Sequence, residues 1–454
     1  MIIDEDIIRG GITPQILAKL IEKHGQEQER YKKLYDYYIG KHAILNRYKT
    51  TKGAANNKII CNHAKYIVDM SVSYMVGNPI TYAASEEYDI EPLKDVYLEQ
   101  DIASLDSELA KDMSIYGRAY ELVYSDENSN PRSVRLLPQC TFVCKLQDAA
   151  EKPLFAVYYY KKYDLDGNCK GTVCRVYDNT TIRTYTSTNN SYYSMVLQDE
   201  TKHYFSAVPI IEYRNNTEVQ GDFEQLISLI DAYNTLQSDR VNDKEQFVDA
   251  FLFLRNCEID GEQAAKLREE RILMGYDNSA AEYLSKVLNE ADTKVLRDDL
   301  KDDIHRLSHV PDLSDKESFG NNLSGVAIKY KLLGFEQHVK HSERNFAKSL
   351  RQRFELYNTF LALKSCMQTV PTHRVEIVFT YNLPANELEV AQMISYLQGL
   401  ASNETLLEQL SFVGDAKEEA ELAKKEQAES QRAEMEAMDY RDYRKPINTN
   451  EHAE

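Results

Sequence analysis

Apolar residues recur with helical spacing over the first 120 residues or so, alternate over the next hundred, and return to helical spacing after Gly221. The longest patterns lie in that last part. From Phe223 to Phe251 the apolar positions are Phe223, Leu226, Ile227, Ile230, Tyr233, Val241, Phe247, Val248 and Phe251, with a polar gap at Gln237 to Arg240. Such a helix runs about 40 Å. Leu252 to Asn289 is mixed: Phe253 starts a strand, Gly261 to Arg271 is helical in composition, and Ile272 to Gly275 reads as a second short strand. Ala291 to His309 is a helix carrying Asp298, Asp299, Asp302 and Asp303, stopped by Pro311. A polar loop follows from Asp312 to Asn322. Leu323 to Leu363 is then one helix of about 60 Å, with Gly334 as the candidate kink.

The chain before Gly221 divides in two. Thr13-Pro14 is a hydroxyl cap with proline at the first helical position, and the helix it opens extends to Tyr38. Gly40 to Asn57 is a basic loop. Asn62 to Val76 is helical and ends at Gly77-Asn78-Pro79, after which Ile80 to Tyr82 is a strand. Asp101 caps a helix that closes at Tyr116-Gly117. Period-two segments follow: Ala119 to Tyr124 paired with Ser133 to Leu137, then Thr141 to Leu146, Leu154 to Tyr160, Thr172 to Tyr177, Thr181 to Thr186, Tyr192 to Leu197 and Val208 to Tyr213. This predicts a mostly antiparallel sheet domain. Toward the C-terminus, Thr372 to Tyr381 is a strand, Asn386 to Gly399 and Glu404 to Leu410 are helices, and Lys417 to Met438 is an alternating-charge helix. Residues 439–454 are expected to be disordered. The class is α+β.

Composition narrows the function. The net charge is -19, so general attraction to nucleic acid is not expected and any DNA contact must be local. The acidic start MIIDEDII is no signal peptide, and no apolar run is long enough to cross a membrane. Seven cysteines without an export signal read as reduced thiols. Cys140, Cys144, Cys169 and Cys174 lack zinc-ribbon spacing, and Asp164 to Asn168 (DLDGN) is a hairpin turn rather than a calcium loop. No phosphate-loop, zinc-protease, nucleophile-elbow or dinucleotide motif is present, so no cofactor or metal is assigned. The four acids at 298, 299, 302 and 303 suit a solvated helix face, with a two-metal nuclease as the alternative. Lys329, Lys331, Lys340, His341, Arg344, Lys348, Arg351 and Arg353 line the last long helix, where they either track phosphates or pair with acids.

An ordered set of blocks carries a family resemblance: NKIICNHAKYIVD at 57–69, YMVGNPITY at 74–82, YGRAYEL at 116–122, PIIEYRNN at 209–216, GDFE at 221–224 and FGNNLSGVAIKYK at 319–331. Together they resemble the portal proteins of tailed bacteriophages, of the type found in long-tailed phages of Gram-positive hosts. The resemblance implies a portal fold with long stem helices, a mixed wing, a small clip and a helical crown. In those terms 1–222 is wing, 223–251 a stem helix, 252–290 the clip, 291–310 the second stem helix and 311–322 the tunnel loop. Residues 323–385 are the long kinked helix and a wing strand, 386–438 the crown and 439–454 a tail. The implied assembly is a ring, typically of twelve, at one capsid vertex, passing double-stranded DNA. Its implied partners are the terminase large subunit, the head-tail adaptor, and the major capsid and scaffolding proteins. The implied location is the virion, and the host cytoplasm during assembly. The loop nearest DNA would present Asp312, Ser314, Asp315, Lys316, Glu317, Ser318, Phe319, Gly320, Asn321 and Asn322.

Overall fold

The computed structural model describes residues 1–48, 55–85, 87–148, 150–189, 191–248, 251–255, 280–284, 290–314, 325–381, 387–410, 413 and 416–442. The chain forms two compact units, Met1–Gly320 with Tyr330–Asn382, and Asn321–Lys329 with Leu383–Glu454.

The first unit opens with a short strand β1 (Ile2–Ile3) and helices α1 (Pro14–Gly25) and α2 (Gln28–Tyr38). Thr13 caps α1 by accepting from the Ile16 N–H at 3.3 Å. The single helix expected to Tyr38 is two, because the ladder breaks after Gly25, a weak helix former. The break lets Leu17 and Ile21 pack on one sheet while Tyr31 meets Tyr116 edge-on. Helix α3 (His63–Val76) is capped by Asn62, which accepts from Lys65 N–H at 3.0 Å. Strand β2 (Thr81–Ala84) and helix α4 (Glu91–Glu99) follow, the latter unanticipated. In α5 (Ile102–Tyr116), Asp101 sits at the N-cap position but caps no backbone amide. It adopts a left-handed φ of 52° and accepts from the Ser104 hydroxyl instead.

The alternating region forms two sheets, not one. Its strands are β3 (Arg118–Ser125), β4 (Pro131–Leu136), β5 (Thr141–Leu146), β6 (Pro153–Tyr163), β7 (Cys169–Tyr177), β8 (Thr181–Ser187), β9 (Val196–Lys202) and β10 (Ile210–Arg214). The order β1-β5-β6-β7-β8-β9 makes a six-stranded sheet, and β10-β3-β4 a three-stranded one. All pairs are antiparallel except β1 on β5. Tyr192–Ser194 is a 3-10 turn rather than the start of a strand, since Ser191 and Asn189 side chains take up the local amides. Asp164 folds the β6–β7 turn by accepting from the amides of Asp166 and Asn168. Two apolar clusters result, one between α1 and the larger sheet around Phe142, Phe155 and Val157, the other between the sheets around Tyr120, Val143 and Ile210.

After a 3-10 turn at Glu224–Leu226 comes α6 (Ile227–Val248). The helix ends there: Phe251 belongs to β11 (Phe251–Arg255), which pairs antiparallel with β12 (Ala280–Leu284). The helix expected at 261–271 and the strand at 272–275 lie outside the described residues. Helix α7 (Glu290–Ser308) returns against α6, and α8 (Gly325–Leu363) runs uninterrupted through Gly334. Strand β13 (Val375–Val378), shorter than the alternation implied, pairs with β2.

The second unit holds α9 (Glu387–Leu397), α10 (Asn403–Leu407) and α11 (Ala416–Asp442). Ser402 caps α10 through the Thr405 N–H at 3.2 Å, and Leu406 and Ala420 are buried where α10 meets α11. Helix α11 continues past Met438, so 439–442 are helical rather than part of a disordered tail.

Candidate functional site

The α6–α7 hairpin is rooted in the sheet unit by close backbone contact. Gly117 ends α5 at a φ of 80°, and a Cβ there would stand 2.2 Å from the Val219 carbonyl oxygen. A Cβ on Gly221 would stand 2.3 Å from the Ile115 carbonyl oxygen. Only glycine fits such approaches. The contact is then cross-bonded. Asp222 N–H donates to Ser114 O at 2.8 Å, and Asn215 Nδ2 donates to Asp222 Oδ1 at 2.7 Å. Arg30 forks onto Glu224 at 2.7 and 2.6 Å and also donates to the carbonyls of Tyr116 and Val219.

Further along α6, the buried face is polar. Asn234, Ser238 and Asn242, four residues apart and at most 1% exposed, point at the extended segment before α3. Cys61 N–H donates to Asn234 Oδ1 at 2.8 Å, Ile59 N–H to Ser238 Oγ at 2.9 Å and Asn57 N–H to Asn242 Oδ1 at 2.7 Å. The spacings match: four helical residues rise about 6 Å and two extended residues about 6.6 Å. The side chains therefore act as the edge of a sheet for residues 57–61. Asn234 Nδ2 also lies 2.8 Å from His42 Nδ1, and Arg47 pairs with Asp239 at 2.5 Å.

The chain leaving α7 is held at several points. His309 takes a left-handed φ of 60° to make the turn. His305 Nδ1 bonds the Val310 carbonyl at 3.0 Å, and His305 meets the rings of His63 and Tyr66 edge-on. Tyr66 Oη donates to Pro311 O at 2.9 Å and accepts from Leu313 N–H at 3.3 Å. Asp312 is not a free loop charge: it is paired with Lys301, and Ser314 donates to it through both N–H and O–H. Burial works against its charge, but Lys301 and the Ser314 donors outweigh it and hold the carboxyl at about 2.

On α7, Asp299 and Asp302 are exposed, Asp298 is paired with Arg297 at 2.5 Å and Asp303 with Arg306 at 2.5 Å. Among the described residues no group of three or more His, Cys, Asp or Glu side chains is arranged to hold a metal ion. The basic series on α8 is not one face. Arg353 is fully buried, donating to Asp106 at 2.6 Å and to Glu121 at 2.8 and 2.9 Å, and Tyr213 donates to Glu121 at 2.5 Å. Lys340 is paired with Glu336.

With this geometry in hand, the sequence model of the family described as phage portal protein, SPP1 Gp6-like, matches residues 17–433. The chain belongs to that family. It is 24% identical to the portal protein of Bacillus phage SPP1 over 449 residues, covering 92% of this chain and 87% of that one. It is 23% identical to the portal protein of Clostridium phage phiCD119 over 418 residues, covering 85% and 90%. Among solved structures, the neck of an empty gene transfer agent particle computed with C6 symmetry aligns at a TM-score of 0.48 and 13% identity, over 76% of this chain and 89% of that one. The neck of the native particle computed with C12 symmetry aligns at 0.45 and 12%, over 78% and 89%. This portal family is structural rather than enzymatic, and its place is the virion.

Three of the six blocks that resemble portal proteins have a physical reason. YGRAYEL and GDFE meet at the glycine contact of Gly117 and Gly221, and NKIICNHAKYIVD contains both the segment 57–61 bonded by Asn234, Ser238 and Asn242 and the Tyr66 that holds the loop. Of the loop residues expected near DNA, Asp312 and Ser314 are described and anchored. Asp315, Lys316, Glu317, Ser318, Phe319, Gly320, Asn321 and Asn322 lie outside the described residues. The anchors Tyr66 and Lys301 and the polar ladder were not singled out from sequence. The four-residue spacing of Asn234, Ser238 and Asn242 was the available signal.

Proposed function

We propose that the chain assembles into a closed ring, of twelve copies, at one vertex of a phage capsid, with double-stranded DNA passing through the ring during packaging and ejection. Helices α6 and α7 form the stem, the insert carrying β11 and β12 forms the clip, and residues 311–322 form the loop nearest the DNA. The sheet unit is the wing, and the helices after Asn386 the crown. The clip docks the terminase large subunit and later the head-tail adaptor, and the wing meets the major capsid and scaffolding proteins. The ring is made in the host cytoplasm and ends in the virion. The family match over residues 17–433 carries this reading. The net charge of -19 supports it, because an acidic wall keeps DNA mobile where a basic one would retain it. Screening over about 8 Å confines that repulsion to close approach.

Electron microscopy of the purified full chain tests the ring: closed particles with an axial hole and twelvefold symmetry are expected, and an exclusively monomeric chain at all concentrations and salts would count against it. Deleting Ser314 to Gly320 tests the loop. Rings should persist while DNA packaging falls; normal packaging would refute the loop assignment.

A further inference from the structure

Four of the chain's ten histidines meet in two pairs at the end of α7. His305, in the last turn of α7, stands edge-on to His63 of α3, with ring centroids 5.7 Å apart. His309, just past the helix, stacks on His338 of α8 at 5.3 Å and 29°. The end of α7 is therefore held to α3 by one pair and to α8 by the other, and the chain turns away at His309 with a left-handed φ of 60°. Among the described residues no group of three or more His, Cys, Asp or Glu side chains is arranged to hold a metal ion, which leaves the proton as the ligand these rings bind.

The groups facing each pair oppose its charge on balance. His63 faces His305, Lys301 and His42, which oppose a charge on it, and Asp312, which favours one. It is also the first residue of α3, where the positive end of the helix dipole disfavours a cation. Its Nε2 is buried and meets no hydrogen-bond partner among the described residues, and a charged ring would carry an N–H there. Burial first, then His305 and Lys301, outweigh Asp312 and hold His63 at about 4. His305 faces the ring of Tyr66 besides His63, and its Nδ1 bonds the Val310 carbonyl. His338 faces His309 and His341, which oppose its charge, and Asp222, which favours it. Asp222 Oδ1 lies 3.9 Å from His338 Nε2, beyond hydrogen-bond reach, and the carboxylate already accepts from Ser114 Oγ at 2.5 Å and Asn215 Nδ2 at 2.7 Å. Burial and the two histidines outweigh it and hold the His338 ring below the usual histidine range.

We infer that the two histidine pairs form an acid-released clasp, which holds the end of α7 to α3 and α8 while the rings are neutral and lets it go when they charge. Neutral rings at 5.7 and 5.3 Å pack as aromatic pairs, whereas two imidazolium rings at those distances repel. The open form takes up protons near the ordinary histidine value of about 6.5, which the closed form resists. The clasp is therefore complete above that pH and weakens as pH falls toward 4. From His63 alone, the open form should gain about 30-fold on the closed form between pH 7.5 and 5. Asp312, held at about 2, stays charged across this window, so its pairing with Lys301 is not what changes. Release loosens the start of the segment that Tyr66 and Lys301 anchor, which the portal reading makes the root of the loop nearest the DNA. The inference rests on that reading for this consequence alone; the clasp is a property of the folded chain.

The test is hydrogen exchange of the purified full chain, expressed as protection factors so that the pH dependence of exchange itself is removed. The amides of residues 305–310 should lose about 30-fold or more in protection between pH 7.5 and 5, and those of 335–340 should follow in the same direction. His63→Phe combined with His338→Phe keeps a ring at both contacts and removes both titrations, so protection at 305–310 should hold at pH 5. If that variant does not fold, His338→Phe alone, at a partly exposed position, should reduce the pH response at 335–340. Equal protection of wild type at the two pH values would overturn the inference. So would a loss in the substituted chain as large as in wild type, because the titrating groups would then lie elsewhere. Ring formation is scored separately: rings without the pH response sink the clasp alone, and the response in a chain that never closes into rings sinks the portal reading alone.

Discussion

Truncating the polar ladder on α6 should weaken the attachment of the hairpin in a graded order. Asn234→Ala strips the Cys61 N–H of its acceptor and His42 Nδ1 of its partner, both at 2.8 Å and on the buried side of the helix. Each lost partner costs about 1–3 kcal/mol when water cannot replace it, so about 2–6 kcal/mol is expected for the two. Ser238→Ala orphans one donor, Ile59 N–H, for about 1–2 kcal/mol. Asn242→Ala frees Asn57, whose own side chain still reaches Glu245 at 2.8 Å in an exposed position, so about 0.5–1 kcal/mol is expected. Val241→Ala, on the exposed side of the same helix, should cost least. Urea midpoints measure the order, and hydrogen exchange localises it: the amides of residues 59 and 61 should lose protection in Asn234→Ala and Ser238→Ala while the β6 and β7 amides keep theirs. If Asn234→Ala costs no more than Val241→Ala, the ladder does not hold residues 57–61 and the account of the buried polar positions of α6 fails.

Four further outcomes follow from the same contacts. Arg353→Met leaves Asp106 and Glu121 buried without a cation and should cost about 3–5 kcal/mol; adding Asp106→Asn and Glu121→Gln should restore most of it, and thermal unfolding of the two variants checks this. Gly117→Ala and Gly221→Ala each drive a Cβ into a backbone carbonyl and should reduce soluble yield and melting temperature, whereas Gly334→Ala, with open space around it, should be neutral or slightly stabilising. Burial raises the Asp112 carboxyl to about 7 despite Arg135, so the folded state holds a proton that the unfolded chain gives up near 4; its favourable contribution is full below about 4 and lost as pH rises through 7, and Asp112→Asn should therefore gain on wild type in urea midpoint across that window. Tyr66→Phe removes the bonds to Pro311 and Leu313 and should speed proteolysis at 311–314, a change limited digestion would read.

Periodicity located most helices and strands because each buries one apolar face, and that demand leaves a trace at intervals of two or 3.6 residues. It failed where backbone geometry, not burial, sets the boundary. The split after Gly25, the left-handed Asp101 and the 3-10 turn at Tyr192–Ser194 are each set by a few local bonds that carry no period. Helix α4 was missed because only Leu93 and Tyr97 of its nine residues are buried, too few to stand out as a stripe. For Arg353 the acid-pairing alternative holds, but its burial and its partners were not legible. Its i−2 and i+4 neighbours, Arg351 and Tyr357, suggest a mixed surface, and nothing local shows that Asp106 and Glu121, over 230 positions away in sequence, meet it in the core.

The polar positions Asn234, Ser238 and Asn242 of α6 are the instructive case. Polar residues in an amphipathic helix look like an interruption if burial is assumed to require apolar side chains. Burial requires only that polar atoms find partners. An extended strand with no sheet neighbour supplies one outward N–H every second residue, and a helix supplies one side chain every turn at nearly the same rise. Three small polar residues at that spacing can therefore satisfy a strand that no sheet takes up. The arrangement also explains why the segment at 57–61 is exacting in sequence: its backbone, not only its side chains, is part of the fit. A helix attached by directional bonds to a strand is fixed in register as well as in distance, since a slide by one residue breaks all three bonds together. For a hairpin proposed to line a DNA channel, register along the helix axis is the quantity that sets how far its ends reach, and apolar packing alone specifies it less sharply.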